Sequence, residues 1–567
     1  MRLCTLLLFS LFFNICWSYQ VIKELRKKIN DGEILGRYMT SETGRTVQGF
    51  IGIPFASPPV NDLRFKAPQK VTPWNNTLFT QNQRSKCPHI DTIRSATAVE
   101  GDEDCLYLNV YVPQTRTSSQ LDVLVWFHGG GFTQGHGGPH TYSPDYLLEH
   151  DVILVSGNYR LGPLGFLSTE DRNSAGNFGL KDQAFLLQWV HDNIEHFGGN
   201  KNSVTIWGES AGAVSVAYQM ISPLSEGLFN RAIMNSGVLT GPARSGVARQ
   251  QAIRLAEQVN CPVLTDTSAI IECLRQVSAE AMIHAGGSYP IVVESFETDE
   301  PAFIDQRNYN NRFSHFAQIP LLVGMNSEES LMYIGATLDN PVALDALLTN
   351  WDLTLPGTFG YSHLNVTARE EITRSINEFY FGNAATPTNP LDKQSLLNLF
   401  TDLFLTFIES VQGRLEQSSH SNTYLYLFTH KGKASFSTAT NYYGTSHADD
   451  LIPLFPLRKT VFYSSLPSAQ DRELTKVMSR MWTNFARFGN PTPSGSEETL
   501  WPSVTSNNFS LMQYMQIGNE NGFLQNEVLQ VKQDYYSERA EFWKRIRQDY
   551  GLNSWFEGDS SISRHFL

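Results

Sequence analysis

The sequence predicts an α/β fold in which a central, mostly parallel mixed sheet is flanked by helices. Three observations carry that expectation. Apolar runs of strand length recur at 121–127, 152–156 and 319–323, and 423–428 alternates like a strand. A helical stripe of apolar residues at steps of three and four precedes a further run, Val204–Trp207, giving a strand–helix–strand progression. Several runs end abruptly in glycine-rich or polar turns, where open parallel sheets place their functional loops.

Residues 1–18 read as a segment outside the fold. Arg2 precedes an apolar run from Leu3 to Ile15, and Cys16-Trp17-Ser18 puts small residues at the −3 and −1 positions. The run is too short for a membrane span and has the make-up of a secretory signal, with cleavage expected after Ser18. No later stretch reaches transmembrane length, and Ser-Ile-Ser-Arg-His-Phe-Leu at the end carries neither a lipid-anchor tail nor a retention sequence. The expectation is a secreted, extracellular chain of one domain, residues 19–567, without a membrane anchor. Nothing in it specifies an oligomeric state.

Composition excludes some classes. With 41% hydrophobic and 17% charged residues, the 567-residue chain can bury a large core and is not generally disordered. Its formal charge of -13 would repel a phosphate backbone or an anionic membrane surface, so no nucleic-acid partner is expected.

Taken in order, residues 20–60 supply β-hairpin material, including Gly49-Phe50-Ile51-Gly52-Ile53-Pro54. Arg64 and Glu103 are lone charges among apolar neighbours and read as a buried structural ion pair. The strand Leu121–Phe127 ends in His128-Gly129-Gly130-Gly131-Phe132, whose exposed amides could point at an anion. A phosphate loop is discounted, because the Lys-Ser/Thr ending is absent. Leu180, Ala184, Leu187, Val190, Ile194 and Phe197 mark an amphipathic helix up to Gly198-Gly199. Further on, Leu474, Val477, Met478, Met481, Trp482, Phe485 and Phe488 form a helical core stripe, and a last helix is expected near 534–550, before loose polar residues. Residues 380–392 and 489–498 read as loops.

Six cysteines are present, and Cys4 and Cys16 fall in the signal. The remaining Cys87, Cys105, Cys261 and Cys273 allow three pairings, of which the local one is the simplest. A zinc site lacks any CxxC spacing, so no metal is expected. Asn75, Asn365 and Asn508 head Asn-x-Ser/Thr sequons and are candidate glycosylation sites.

The chemistry centres on Val-Thr-Ile-Trp-Gly-Glu-Ser-Ala-Gly, residues 204–212. A strand running into Gly-x-Ser-x-Gly and then a helix places Ser210 at the apex of a sharp turn, with its hydroxyl off the sheet end and positive potential from the helix N-terminus. Alone, the pentapeptide is as readily a tight turn. A serine nucleophile needs a base and an orienting acid, which follow in the order Ser, Asp/Glu, His in sheets of this kind. Glu328 and Glu329 lie past the strand ending at Val323. His363, His420, His430, His447 and His565 follow, and His447 sits in a loop bounded by Gly, Thr and Ser.

The conjunction resembles the type B carboxylesterase and cholinesterase family of α/β-hydrolases. The likeness runs over nearly the whole mature chain through Glu-Asp-Cys-Leu-Tyr-Leu-Asn (103–109), His-Gly-Gly-Gly-Phe (128–132), Gly-Asn-Phe-Gly-Leu-Lys-Asp-Gln (176–183), Gly-Glu-Ser-Ala-Gly (208–212), Trp-Thr-Asn-Phe-Ala (482–486) and Gly-Asn-Pro-Thr-Pro (489–493). The resemblance implies a cofactor-free esterase acting on a small apolar ester. It implies Ser210 as nucleophile, His447 as base, Glu329 as orienting acid, and an oxyanion hole of the Gly130, Gly131 and Ala211 amides. It further implies the disulfides Cys87–Cys105 and Cys261–Cys273 and the Arg64–Glu103 pair. Glu329 matches the family's Gly-x-Asn-x-x-Glu spacing from Gly324, although Ser330 stands where Gly often follows.

Two departures bear on substrate. The 87–105 loop has no Trp to face a quaternary ammonium, which disfavours acetylcholine. Ser236-Gly237 is not followed by the Trp that constricts the acyl side in many relatives, so a roomier acyl pocket is expected. Non-catalytic adhesion relatives lose the serine, which this chain keeps. Hormone esterases tend to carry Gln at the position of Glu209, and no amphipathic lid marks a lipase.

Overall fold

The computed structural model describes residues 24–237, 239, 241–262, 266–382, 392–417, 422–441, 444–462, 466–518 and 528–552. The expected signal, the C-terminal polar residues and most of the 380–392 loop lie outside these. Fourteen strands are found among the described residues: β1 Arg26–Ile29, β2 Gly32–Leu35, β3 Arg37–Thr40, β4 Thr46–Pro54, β5 Leu78–Phe79, β6 Tyr107–Pro113, β7 Leu121–Phe127, β8 Val152–Gly157, β9 Gly199–Glu209, β10 Arg231–Asn235, β11 Leu321–Asn326, β12 Thr423–Phe428, β13 Gln513–Ile517 and β14 Leu529–Gln533.

Eleven of them form one sheet in the order β14-β13-β12-β11-β10-β9-β7-β8-β6-β4-β3, and β1, β2 and β5 form a small second sheet. Pairing is parallel from β8 through β7, β9, β10, β11 and β12 to β13, and antiparallel at both ends. This is the α/β-hydrolase arrangement expected from the sequence, a mixed sheet with a parallel centre flanked by helices.

The middle stretches of the central strands are mostly apolar because helices cover both faces of the sheet. Alternate residues of β7 divide between two cores: Val123, Val125 and Phe127 enter one, and Leu124 and Trp126 the other. Helix Ala469–Phe488 presents Leu474, Met478, Met481, Trp482 and Phe485 to the second core with Val477 at its edge, whereas Phe488, expected in the same stripe, is exposed at the last position of the helix. It begins at a capping box of Ser468 and Asp471.

Three further expectations need correction. The helix read as amphipathic is Phe178–Asn193, continued by a 3-10 turn to Phe197, and the polar residues Lys181, Asp182 and Gln183 of its first half are buried along with its apolar ones. Asp182 binds Arg160, Lys181 pairs with Glu294 at 2.8 Å, and Gln183 donates to Ser215. Chain around 292–304 covers the face that would otherwise meet water, so matched polar partners replace solvent. The strand expected at 319–323 is shifted to Leu321–Asn326. The last helix starts at Ser537, because Asp534 and Tyr536 adopt positive φ.

Cys87–Cys105 and Cys261–Cys273 are the disulfides. Arg64 joins their two loops. Its Nε donates to Glu103 Oε2 at 2.7 Å, and its Nη1 donates to the carbonyls of Leu274, Arg275 and Val277 at the end of helix Thr267–Gln276. Arg64 is buried as its setting in the sequence indicated, whereas Glu103 is only partly covered.

Candidate active site

β9 ends at Glu209 and helix Ala211–Gln219 begins at once, so Ser210 carries the whole turn at φ 54 and ψ -125. Such a conformation is strained for a residue with a side chain. Flanking glycines make it possible: a Cβ on Gly208 would strike the Gly212 carbonyl, and one on Gly212 would strike that of Phe127. The Ser210 amide donates to the Asn235 carbonyl at 2.9 Å, tying the turn to β10. Ser210 is only 7% exposed, so its hydroxyl lies within the molecule and not on its outer surface.

The glycine run beyond β7 abuts this turn. A Cβ on Gly129 would lie 3.1 Å from Ser210 Cβ and 2.5 Å from Glu209 Oε2. Gly130 and Gly131 follow at φ 111 and φ 61, and the amides of Thr133 and Gln134 close the turn onto the Gly130 carbonyl. With the N-terminus of helix Ala211–Gln219 alongside, backbone amides from two elements border Ser210.

Glu329 and His447 meet at the ends of β11 and β12. Glu329 is fully buried; its Oε1 accepts from the Asn326 amide at 2.7 Å, and its Oε2 lies 2.5 Å from His447 Nδ1. Glu328 turns the other way and accepts from the Thr445 amide at 2.8 Å. The departure at Ser330 leaves this register intact, because the Ser330 hydroxyl donates to the Leu397 carbonyl at 3.0 Å where helix Leu331–Asp339 begins. Of the other histidines, His430 binds Asp471 at 2.8 Å, His363 is exposed, and His420 and His565 lie outside the described residues.

His447 is 2% exposed, and the rings of Phe404 and Tyr333 stand 4.9 and 5.7 Å from its own. Its Nε2 lies 3.1 Å from Glu209 Oε1, yet neither atom has a hydrogen-bond partner among the described residues. Burial disfavours the imidazolium, but Glu209, Glu329 and the hydrogen bond to Glu329 outweigh it and raise the pKa to about 9. Burial in turn pushes Glu209 up to about 8, with His447 opposing the shift. The two groups are close enough that the protonation of each bears on the other.

Sequence reasoning missed the polar layer beneath this site. Asp450 accepts from Asn235 Nδ2 at 2.8 Å and from the Tyr426 hydroxyl at 2.7 Å, and its amide donates to Asn326 Oδ1 at 3.1 Å. Asn326 thus links Asp450 to Glu329. The available signal was the Asp449-Asp450 pair, set off from His447 by Ala448 alone. Gly237 packs against the Ser210 carbonyl, while Val238 and Thr240, which bear on the acyl-side expectation, lie outside the described residues.

Comparison with known proteins identifies the family of the chain. The model of the Carboxylesterase family matches residues 23–543. A juvenile hormone esterase of Tribolium castaneum is 35% identical over 491 residues, covering 82% of this chain and 83% of that protein. A carboxylic ester hydrolase of Bombus ignitus is 33% identical, covering 94% of this chain and 96% of its own. The crystal structure of juvenile hormone esterase from Manduca sexta, with OTFP covalently attached, superposes with a TM-score of 0.80 at 26% identity, over 93% of this chain and all of that one. The chain belongs to the carboxylesterase family and is a carboxylic ester hydrolase.

Proposed function

We propose that the protein hydrolyses carboxylic esters through an acyl-enzyme on Ser210. The observation that carries this reading is the buried bond between Glu329 and His447 Nδ1, which orients the ring and leaves Nε2 without a hydrogen-bond partner among the described residues. Nε2 takes the Ser210 proton as the hydroxyl oxygen attacks the ester carbonyl. The resulting oxyanion is held by the Gly130, Gly131 and Ala211 amides, and the alcohol departs with the proton from Nε2. Water, activated by the same nitrogen, then cleaves the acyl-enzyme and restores Ser210. That a related esterase carries a covalently attached compound supports a covalent route.

The expected substrates are small apolar esters with some length on the acyl side, the Trp being absent after Ser236-Gly237. Export is part of the same reading. It is supported by the N-terminal apolar run, by two disulfides and by the exposure of Asn75, Asn365 and Asn508. The test is hydrolysis of a 4-nitrophenyl ester series, acetate to octanoate, by the wild type and Ser210→Ala. Turnover only by the wild type, with kcat/KM at its highest beyond acetate, is expected. Equal activity in both proteins would contradict the mechanism, and strong preference for acetate would contradict the acyl-side reading.

A further inference from the structure

The loop that carries His447 is fastened on two sides. Inward, Asp450 binds Asn235, Asn326 and Tyr426. Outward, Asp449 is buried and accepts three hydrogen bonds: from the Ser446 amide at 2.8 Å, the Ser435 hydroxyl at 2.7 Å and the Phe436 amide at 2.8 Å. Between the imidazole and these two carboxyls lies Ala448, at φ 67 and ψ 2, a left-handed conformation that a residue with a Cβ adopts only under constraint. Asp449 supplies that constraint from outside, because it bonds both to the residue before His447 and to a separate stretch of chain.

We propose that Asp449 is a positioning residue for His447, pinning the imidazole loop to the 435–436 chain so that Nε2 is presented to Ser210. Glu329 grips the ring at Nδ1, so a loosened loop swings the Nε2 end. Glu209 Oε1, 3.1 Å away, is the partner waiting on that arc. Release of Asp449 therefore lets Nε2 settle on Glu209, which slows proton transfer from Ser210 and favours the imidazolium. The inference rests on His447 acting as the base.

The test compares Asp449→Asn with Asp151→Asn, a change to a part-buried carboxyl bound by Arg45 and Thr117 at the amino end of β8, the end of the sheet opposite the site. Concentrations are set by titration with diethyl 4-nitrophenyl phosphate, and 4-nitrophenyl butyrate is the substrate. Asp449→Asn is expected to lower kcat about 10- to 100-fold, as a misplacement near 1 Å does, with KM little changed and the kcat/KM midpoint moved to higher pH. Asp151→Asn is expected to lower the melting temperature without either kinetic change. A folded Asp449→Asn with wild-type kcat and midpoint overturns the proposal, as does a matching kinetic loss in Asp151→Asn. Should Asp449→Asn not fold, Ser435→Ala removes one of the three bonds; a reduced kcat supports the proposal and an unchanged one overturns it. Turnover surviving in His447→Ala measured alongside would instead overturn the assignment of the base, and this inference with it.

Discussion

Glu209 Oε1 approaches His447 Nε2 to 3.1 Å without a hydrogen bond between them. The carboxylate thereby favours the protonated ring, whereas catalysis needs the neutral one. Activity should consequently be lost as pH falls through a His447 pKa that lies above the ordinary 6.5 and reaches about 9 when Glu209 is ionised. Glu209→Gln removes the charge, so the kcat/KM midpoint should drop by about one unit toward the ordinary imidazole value. A pH profile with 4-nitrophenyl butyrate measures this, and a midpoint that stays or rises argues against the pairing.

The Ser210 backbone predicts a separation of stability from function. A glycine adopts φ 54 without the steric cost that Ser or Ala bears. Both Ser210→Gly and Ser210→Ala should be inactive, with Ser210→Gly the more stable by about 1 kcal/mol. Thermal unfolding of the two variants side by side provides the comparison.

Gly130 offers a test of the amide cradle. At φ 111, with a Cβ directed at the Gln134 carbonyl, Gly130→Ala must shift the turn. The expected loss in kcat is about 10²–10³-fold, the scale of one oxyanion donor, with a smaller change in KM. Steady-state kinetics on the folded variant would show whether the loss falls on kcat.

The disulfides enclose short loops, with sequence separations of 18 and 12. In the chain-entropy model each contributes about 3 kcal/mol. Replacing Cys261 and Cys273 by Ser should lower the urea midpoint accordingly, and it should leave kcat nearly unchanged, because no described residue of that loop makes a hydrogen bond, ion pair or ring contact with Ser210, Glu329 or His447.

How much of this was legible in the sequence varies with the kind of signal. The central strands were readable because both faces are buried, which leaves continuous apolar runs such as Leu121–Phe127. The turn at Ser210 was readable because only glycines tolerate the backbone approaches at 208 and 212. The polar face of helix Phe178–Asn193 misled, since periodicity reports where apolar residues lie and not whether other chain covers the rest. Glu209, Asp449 and Asp450 escaped as contributors because their partners come from remote segments, so no local spacing announces them. The choice of Glu329 over Glu328 came from a resemblance in spacing, and the geometry agrees with it.

The most direct test of the account is rapid-quench mass spectrometry of the protein mixed with a 4-nitrophenyl ester. The account predicts a transient acyl adduct on the peptide bearing Ser210, formed in step with the 4-nitrophenol burst and absent from Ser210→Ala, which should be inactive. Undiminished turnover by Ser210→Ala, or an acyl adduct on another residue during turnover, would contradict it.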